Sequence, residues 1–113
     1  MPRDTNHYGT IFGGVILSYI DQAGFVEAQR HSHHQWVTVA LDRVEFKQPV
    51  YVGDVVNFYA DTTRAGTTSV TIKVEVEAER AVDGAVVPVT SATIVLVSVD
   101  KTGKPVPFKP QQA

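Results

Sequence analysis

The stretch GVILSYIDQAGFVEAQR, residues 14–30, decides the fold because it is the only segment of the sequence that predicts a long helix. Small and apolar residues dominate it, and neither a proline nor a turn dipeptide interrupts it. Its apolar residues cover more than one face, so we expect other elements to wrap around the helix. They are Val15, Ile16, Leu17, Ile20, Ala23, Phe25 and Val26. One acid, Asp21, lies among them, and a carboxylate in such surroundings needs a chemical reason.

From Trp36 onward, the apolar residues follow the period of a strand. In VTIKVEVEAE, residues 70–79, apolar and polar side chains alternate, which predicts a half-buried strand. The turn dipeptide Asp83-Gly84 follows it. Similar patterns predict three more strands, near residues 37–47, 55–64 and 86–99. Because the connections are short, we expect consecutive strands to be antiparallel neighbours.

The last predicted strand differs from the others because Ile94, Val95, Leu96 and Val97 are apolar on both of its faces. Such a run predicts a central strand, or one that another subunit covers. The sequence that follows, KTGKPVPFKPQQA at residues 101–113, contains several prolines and glycines. It predicts an extended surface tail with no core of its own.

Length, composition and charge limit the classes of protein that the chain can be. Its 113 residues, 43% of them hydrophobic, predict a single domain over residues 1–113 with its own core. The 10 basic and 12 acidic residues give a net charge of −2, which does not favour nucleic acid or an anionic membrane as partner. The sequence has no cysteine, which excludes disulfide and thiolate chemistry. It shows neither a leader nor an apolar run of spanning length, so a cytoplasmic location is expected.

Four pieces of the sequence, in order and at matching spacing, resemble one family. They are DTN with GTIFGG, then SYIDQAG, VEFKQPVYVGDVV and GTTSVTI, at residues 4–14, 18–24, 44–56 and 66–72. The chain resembles the hotdog acyl-CoA thioesterases, in the branch of the bacterial short- to medium-chain acyl-CoA hydrolases and the brain-type cytosolic acyl-CoA hydrolase. FGG alone is a weak signal, whereas four ordered pieces across most of the chain are a specific one.

The resemblance implies an α+β hotdog fold, with one long central helix wrapped by an antiparallel sheet. It implies hydrolysis of an acyl-CoA to a free carboxylic acid and coenzyme A, with no metal or other cofactor. It gives Asp21 the role of catalytic carboxylate and Asn6 that of a polar partner at the thioester. It also implies a homodimer, assembled into a hexamer as a trimer of dimers. Family members usually have a strand before DTN, which we expect to be absent or to lie outside this sequence.

The chemistry of thioester hydrolysis agrees with these roles. The reaction needs a base for the attacking water, or a nucleophile, and hydrogen-bond donors for the oxyanion. Gly13 and Gly14 lack Cβ atoms, so a ligand carbonyl can approach the unpaired N–H groups at the helix start. Asp21 lies about 10 Å further along the helix axis. Because the two groups cannot both touch one carbonyl within a chain, we expect a site shared by antiparallel helices of a dimer.

Binding of coenzyme A is assigned to a polar turn and one further cation. The segment RAGTTS, residues 64–69, predicts either an ordinary turn or a donor-rich loop for the pantetheine or phosphates, with Arg64 as the cation. The candidate binding residues are Arg64, Gly66, Thr67, Thr68, Ser69 and Lys47.

Structural explanations stay open for the same residues. Asp21 could pair with Arg43 or Lys47, because a buried carboxylate requires a partner. The glycine pair could permit close helix packing, and Asn6 could be a turn or N-cap residue. A non-catalytic acyl-CoA-binding regulatory module would keep the same pocket and lose turnover.

The histidines do not predict a metal site. HSHH, residues 31–34, could place His31 and His34 on one helical face, but no carboxylate or further histidine stands at ligand spacing. We therefore expect a solvated helix end. A hotdog hydratase or dehydratase would need a histidine opposed to the acid, and only His7 is near; we expect it in a surface loop.

Overall fold

The computed structural model describes residues 13–108, which form one helix and four strands. These elements are α1 (Gly13–His31), β1 (Gln35–Phe46), β2 (Val55–Ala65), β3 (Ser69–Glu79) and β4 (Val86–Val99). Each begins and ends within two residues of its prediction, and the α+β plan is confirmed. No helix within the described residues is long and apolar enough to cross a membrane.

The four strands form one antiparallel sheet in the order β1-β4-β3-β2. The last strand is central, as its two apolar faces predicted. The prediction that consecutive strands are neighbours is wrong for β1 and β2, which lie at opposite edges. Their connection, residues 47–54, therefore crosses the end of the sheet. A backbone hydrogen bond attaches it to β4 there: the Lys47 N–H donates to the Val89 carbonyl over 2.7 Å.

Helix α1 packs on one face of the sheet. Its inner residues Ile16, Ile20, Gly24 and Ala28 are buried at a spacing of four. Gly24 permits close approach, since a Cβ built there would lie 2.9 Å from Ile94 Cγ2. Within the single chain, the sheet covers one face of the helix. Large apolar side chains stay exposed on the others, namely Tyr19, Phe25 and Val26.

The start of the tail folds back on the sheet. Pro105 forms a β-bridge with Val99, and the Val106 N–H donates to the Ser98 carbonyl over 2.9 Å. Residues up to 107 lie near the surface, as predicted, but Phe108 is only 2% exposed and belongs to the core. The prediction of a surface segment is therefore wrong at Phe108, because its aromatic ring packs into the core of the domain.

Candidate active site

The Asp21 carboxylate is held by a strand side chain. The hydroxyl of Thr38, on β1, donates to Asp21 Oδ1 over 2.6 Å. The register of β1 against β4 shifts between Thr38 and Ala40, which marks a β-bulge beside the carboxylate. The bond fixes one carboxylate oxygen and leaves Oδ2 for another partner.

A groove of about 600 Å³ surrounds this carboxylate. Its wall is a mixture of apolar and polar side chains from α1 and β1. They are Asp21, Gln22, Phe25, Val26, Trp36, Val37 and Thr38. Asp21 itself is exposed in the single chain. A carboxylate against apolar walls suits a substrate that carries both an apolar chain and a reacting carbonyl.

The alternative partners for Asp21 lie elsewhere. Arg43 lines a groove on the opposite face of the sheet with Asp42 and Lys73. The backbone of Lys47 lies at the far end of β4, beside Val89. Within residues 13–108, the hydrogen bond found for Asp21 therefore comes from Thr38 rather than from either cation.

The helix begins at the glycine pair, as expected. A Cβ built on Gly14 would meet nothing within 4 Å, whereas one on Gly24 would collide with Ile94. In the single chain, Gly24 thus serves close packing and Gly14 does not. Asn6 and His7 lie outside the described residues, so their roles stay predictions.

The predicted coenzyme A turn lies at the same end of the sheet as the Asp21 groove. The Gly66 N–H donates to the Ser69 carbonyl over 2.8 Å and closes the turn. The Thr68 carbonyl accepts from the Ser98 N–H, and Ser98 is opposite Trp36 on β1. Two strand spacings, about 10 Å, therefore separate the turn from the groove wall. Arg64 is exposed where β2 ends.

Lys47 does not join this turn within one chain. From Val89, which binds the Lys47 N–H, to Val97, which pairs with Ser69, β4 runs for about 25 Å. Lys47 instead lines a separate cavity of about 270 Å³ with Tyr59 and Thr90. The structure thus brings the residues of the 64–69 segment towards Asp21 and places Lys47 apart from them.

The two histidines at the helix end have different partners. His31 Nε2 lies 2.7 Å from Thr62 Oγ1, and the Thr62 hydroxyl donates to Glu27. His34 Nδ1 lies 3.1 Å from Ser98 Oγ. Because α1 ends at His31, the pair does not share a helical face. The prediction of no metal site stays a prediction.

Sequence reasoning missed two residues of the groove, Thr38 and Trp36. Both lie on the helix-facing side of β1. Because side chains two positions apart in a strand point to the same face, the sequence did indicate that these two share a face. Nothing in the sequence indicated which strand faces the acidic part of the helix, because that depends on the order of strands in the sheet.

Comparisons with known proteins show the family of the chain. Residues 8–85 match the family described as the thioesterase superfamily. The acyl-CoA thioester hydrolase YciA of Escherichia coli K12 is 42% identical over 108 residues, covering 93% of this chain and 82% of YciA. A hexameric hotdog fold thioesterase of Campylobacter jejuni is 44% identical, with a TM-score of 0.88 over 96% of this chain and 84% of its own. An acyl-CoA hydrolase of Staphylococcus aureus, solved with butyryl coenzyme A, is 31% identical, with a TM-score of 0.84 over 100% and 71% of the two chains.

Proposed function

Because the chain belongs to the thioesterase superfamily and has the hotdog fold, we propose that it hydrolyses an acyl-CoA to a free carboxylic acid and coenzyme A. The observation that carries the proposal is the Asp21 carboxylate, fixed by Thr38 beside a groove with a partly apolar wall. Relatives with about 40% identity over nearly the whole chain are named acyl-CoA thioester hydrolases. The reaction requires a carboxylate and water, so we propose no cofactor.

Asp21 acts on the thioester carbonyl in one of two ways. As a general base, it takes a proton from water while the water oxygen bonds to the carbonyl carbon; the carbon–sulfur bond then breaks and the thiolate of coenzyme A leaves. As a nucleophile, its oxygen bonds to the carbonyl carbon, the carbon–sulfur bond breaks and the thiolate of coenzyme A leaves; water then cleaves the resulting anhydride to the free acid and the Asp21 carboxylate. In both, the Thr38 hydroxyl orients the carboxylate. The amides of Gly13 and Gly14, with Asn6, stabilise the oxyanion.

Two chains share this site in our proposal. About 10 Å of helix separates Gly14 from Asp21, so the glycine amides that meet the substrate carbonyl come from the other protomer. The apolar side chains that the sheet leaves exposed on α1 supply the contact surface: Val26, beside the groove, is 60% exposed. The related thioesterases from Campylobacter jejuni and Yersinia pestis are hexameric. We propose a homodimer that assembles into a trimer of dimers.

Thiol release from acyl-CoAs of graded chain length tests the function. We expect the wild-type chain to release coenzyme A and Asp21→Asn to lower kcat by roughly 10²–10⁴-fold, because the amide keeps the shape but is no base. Asp42→Asn, on the opposite face of the sheet, is the matched control and should keep full activity.

Other outcomes of this assay would contradict the proposal. Binding of acyl-CoA with no thiol release for any chain length would favour the non-catalytic binding module. Addition of water to an enoyl-CoA without release of thiol would favour a hydratase.

A further inference from the structure

The C-terminal strap, which we define as residues 104–108, connects three elements at one end of the molecule. Its Val106 N–H donates to the Ser98 carbonyl of β4 over 2.9 Å. Its Phe108 N–H donates to the Thr67 carbonyl, in the turn between β2 and β3, over 3.3 Å. The strap therefore holds the turn that we assign to coenzyme A by a backbone hydrogen bond.

The Phe108 ring contacts the other side of the same region. Its centroid lies 5.1 Å from that of Trp36 and 5.9 Å from that of His31, at the end of α1. Trp36 is buried and lines the Asp21 groove, and its Nε1–H donates to the Ser32 carbonyl over 3.0 Å. One residue of the strap thus contacts both the groove wall and the binding turn.

We propose that Phe108 is a positioning residue for substrate binding, fixing the Trp36 wall and the 66–69 turn relative to each other. The inference rests on the proposed function. The two surfaces are about 10 Å apart across β4, so an acyl-CoA with its thioester at Asp21 extends from one towards the other. A small change in the distance between the Trp36 wall and the 66–69 turn weakens binding, because the substrate must contact both at the same time.

A purely structural role for Phe108 is the competing explanation. The ring is only 2% exposed, so its removal leaves a cavity and lowers stability wherever the site lies. The test must therefore separate loss of stability from loss of positioning. Val50 provides the comparison, because it is 1% exposed in the connection that crosses the opposite end of the sheet.

The experiment compares Phe108→Ala, Phe108→Leu and Val50→Ala in the full chain. We expect Phe108→Ala to raise KM for the best acyl-CoA by about tenfold, with kcat changed by less than about threefold. Phe108→Leu should recover most of the affinity, because it refills the gap. Val50→Ala should lower Tm and leave KM unchanged.

Trp36 is the single tryptophan of the chain, so its fluorescence reports on the groove without reference to turnover. Titration with coenzyme A should change the emission of the wild-type chain, and Phe108→Ala should require about tenfold more ligand for the same change.

A KM and a titration midpoint for Phe108→Ala that match those of Val50→Ala would overturn the positioning role. If Phe108→Ala does not fold, Phe108→Val takes its place, because it leaves a smaller gap but still removes the ring, and a KM and a titration midpoint equal to those of Val50→Ala would then overturn the positioning role. A wild-type chain that neither releases thiol nor responds to coenzyme A would instead contradict the proposed function.

Discussion

Among single residues, Thr38 fixes the orientation of the Asp21 carboxylate, which we propose to be catalytic. The 2.6 Å bond to Asp21 Oδ1 is a hydrogen bond to a charged group, which contributes more than one between neutral groups. Thr38→Val keeps the shape and removes the donor. We expect kcat to fall by about 10- to 100-fold with little change in KM.

Thr38→Ser is the matched control for this prediction, because it keeps the hydroxyl and loses only a methyl group. Steady-state thiol release should show most of the wild-type kcat for the serine variant. Equal losses in the valine and serine variants would mean that Thr38 acts by packing rather than by its hydrogen bond.

The sequence predicted Asp21 and not Thr38 for a physical reason. An acid within an apolar helix is unusual, because desolvation penalises it, and so it stands out in a sequence. A threonine in a strand is ordinary. Thr38 meets Asp21 because β1 lies beneath this part of α1 and its register shifts after Thr38. Both properties depend on long-range pairing of strands, so the local sequence does not indicate them.

Among the elements, the contact between α1 and β4 depends on Gly24. Alanine favours a helix by up to about 1 kcal/mol over glycine, but its Cβ would lie 2.9 Å from Ile94 Cγ2. We expect the clash to dominate, so Gly24→Ala should lower the free energy of unfolding by about 1–3 kcal/mol. Denaturant unfolding measures it. Gly14→Ala, whose Cβ meets nothing, should not be destabilising, and equal losses in both variants would contradict the packing account.

A buried ion pair fixes the connection between β1 and β2. Arg80 Nη1 lies 2.7 Å from Asp54 Oδ2, and the Asp54 side chain is 3% exposed. Burial raises the pKa of Asp54, but hydrogen bonds from the Tyr51 N–H, the Arg80 guanidinium and the Ala81 N–H together outweigh it. The pKa therefore lies below the usual 3.8.

The sign of the pH dependence follows from this lowered pKa. The ionised carboxylate stabilises the folded chain fully above pH 3.8, and the contribution is lost as the pH falls through the folded-state pKa. Asp54→Asn should cost about 2–4 kcal/mol at pH 7, because it leaves Arg80 buried without its anion. The difference from wild type should shrink below pH 3.8. Denaturant unfolding of both proteins at pH 7 and below pH 3.8 measures this difference in the free energy of unfolding. A difference that does not change with pH would refute the ion-pair explanation.

The elements themselves could be predicted, whereas their order could not. Alternation such as that of residues 70–79 is local, and it placed the strand ends within two residues. The position of β2 at the edge opposite β1 depends on the hairpin of β3 and β4 lying between them, which is a long-range choice. Phe108 was missed for the same reason, since its partners Trp36 and Thr67 are distant in sequence.

For the whole molecule, the single chain leaves the surface around Asp21 uncovered. Asp21 is exposed, and apolar side chains beside it, including Phe25 and Val26, are uncovered by the chain's own sheet. A second protomer over this surface would bury the carboxylate and raise the cost of its charge. Asp21→Asn should therefore leave Tm unchanged or raise it, while removing activity.

In our proposal, Asp21 of one protomer works with Asn6 and the glycine amides of the other, and mixing two inactive variants tests this shared site. Asp21→Asn and Asn6→Ala chains are combined in equal amounts, allowed to exchange, and assayed for thiol release. A mixed dimer contains one site with both native residues and one with neither. If both variants alone are inactive, random exchange makes about a quarter of all sites native. We therefore predict that the mixture recovers about a quarter of the activity of the same concentration of wild-type chains. No recovery in verified mixed dimers would contradict the shared site.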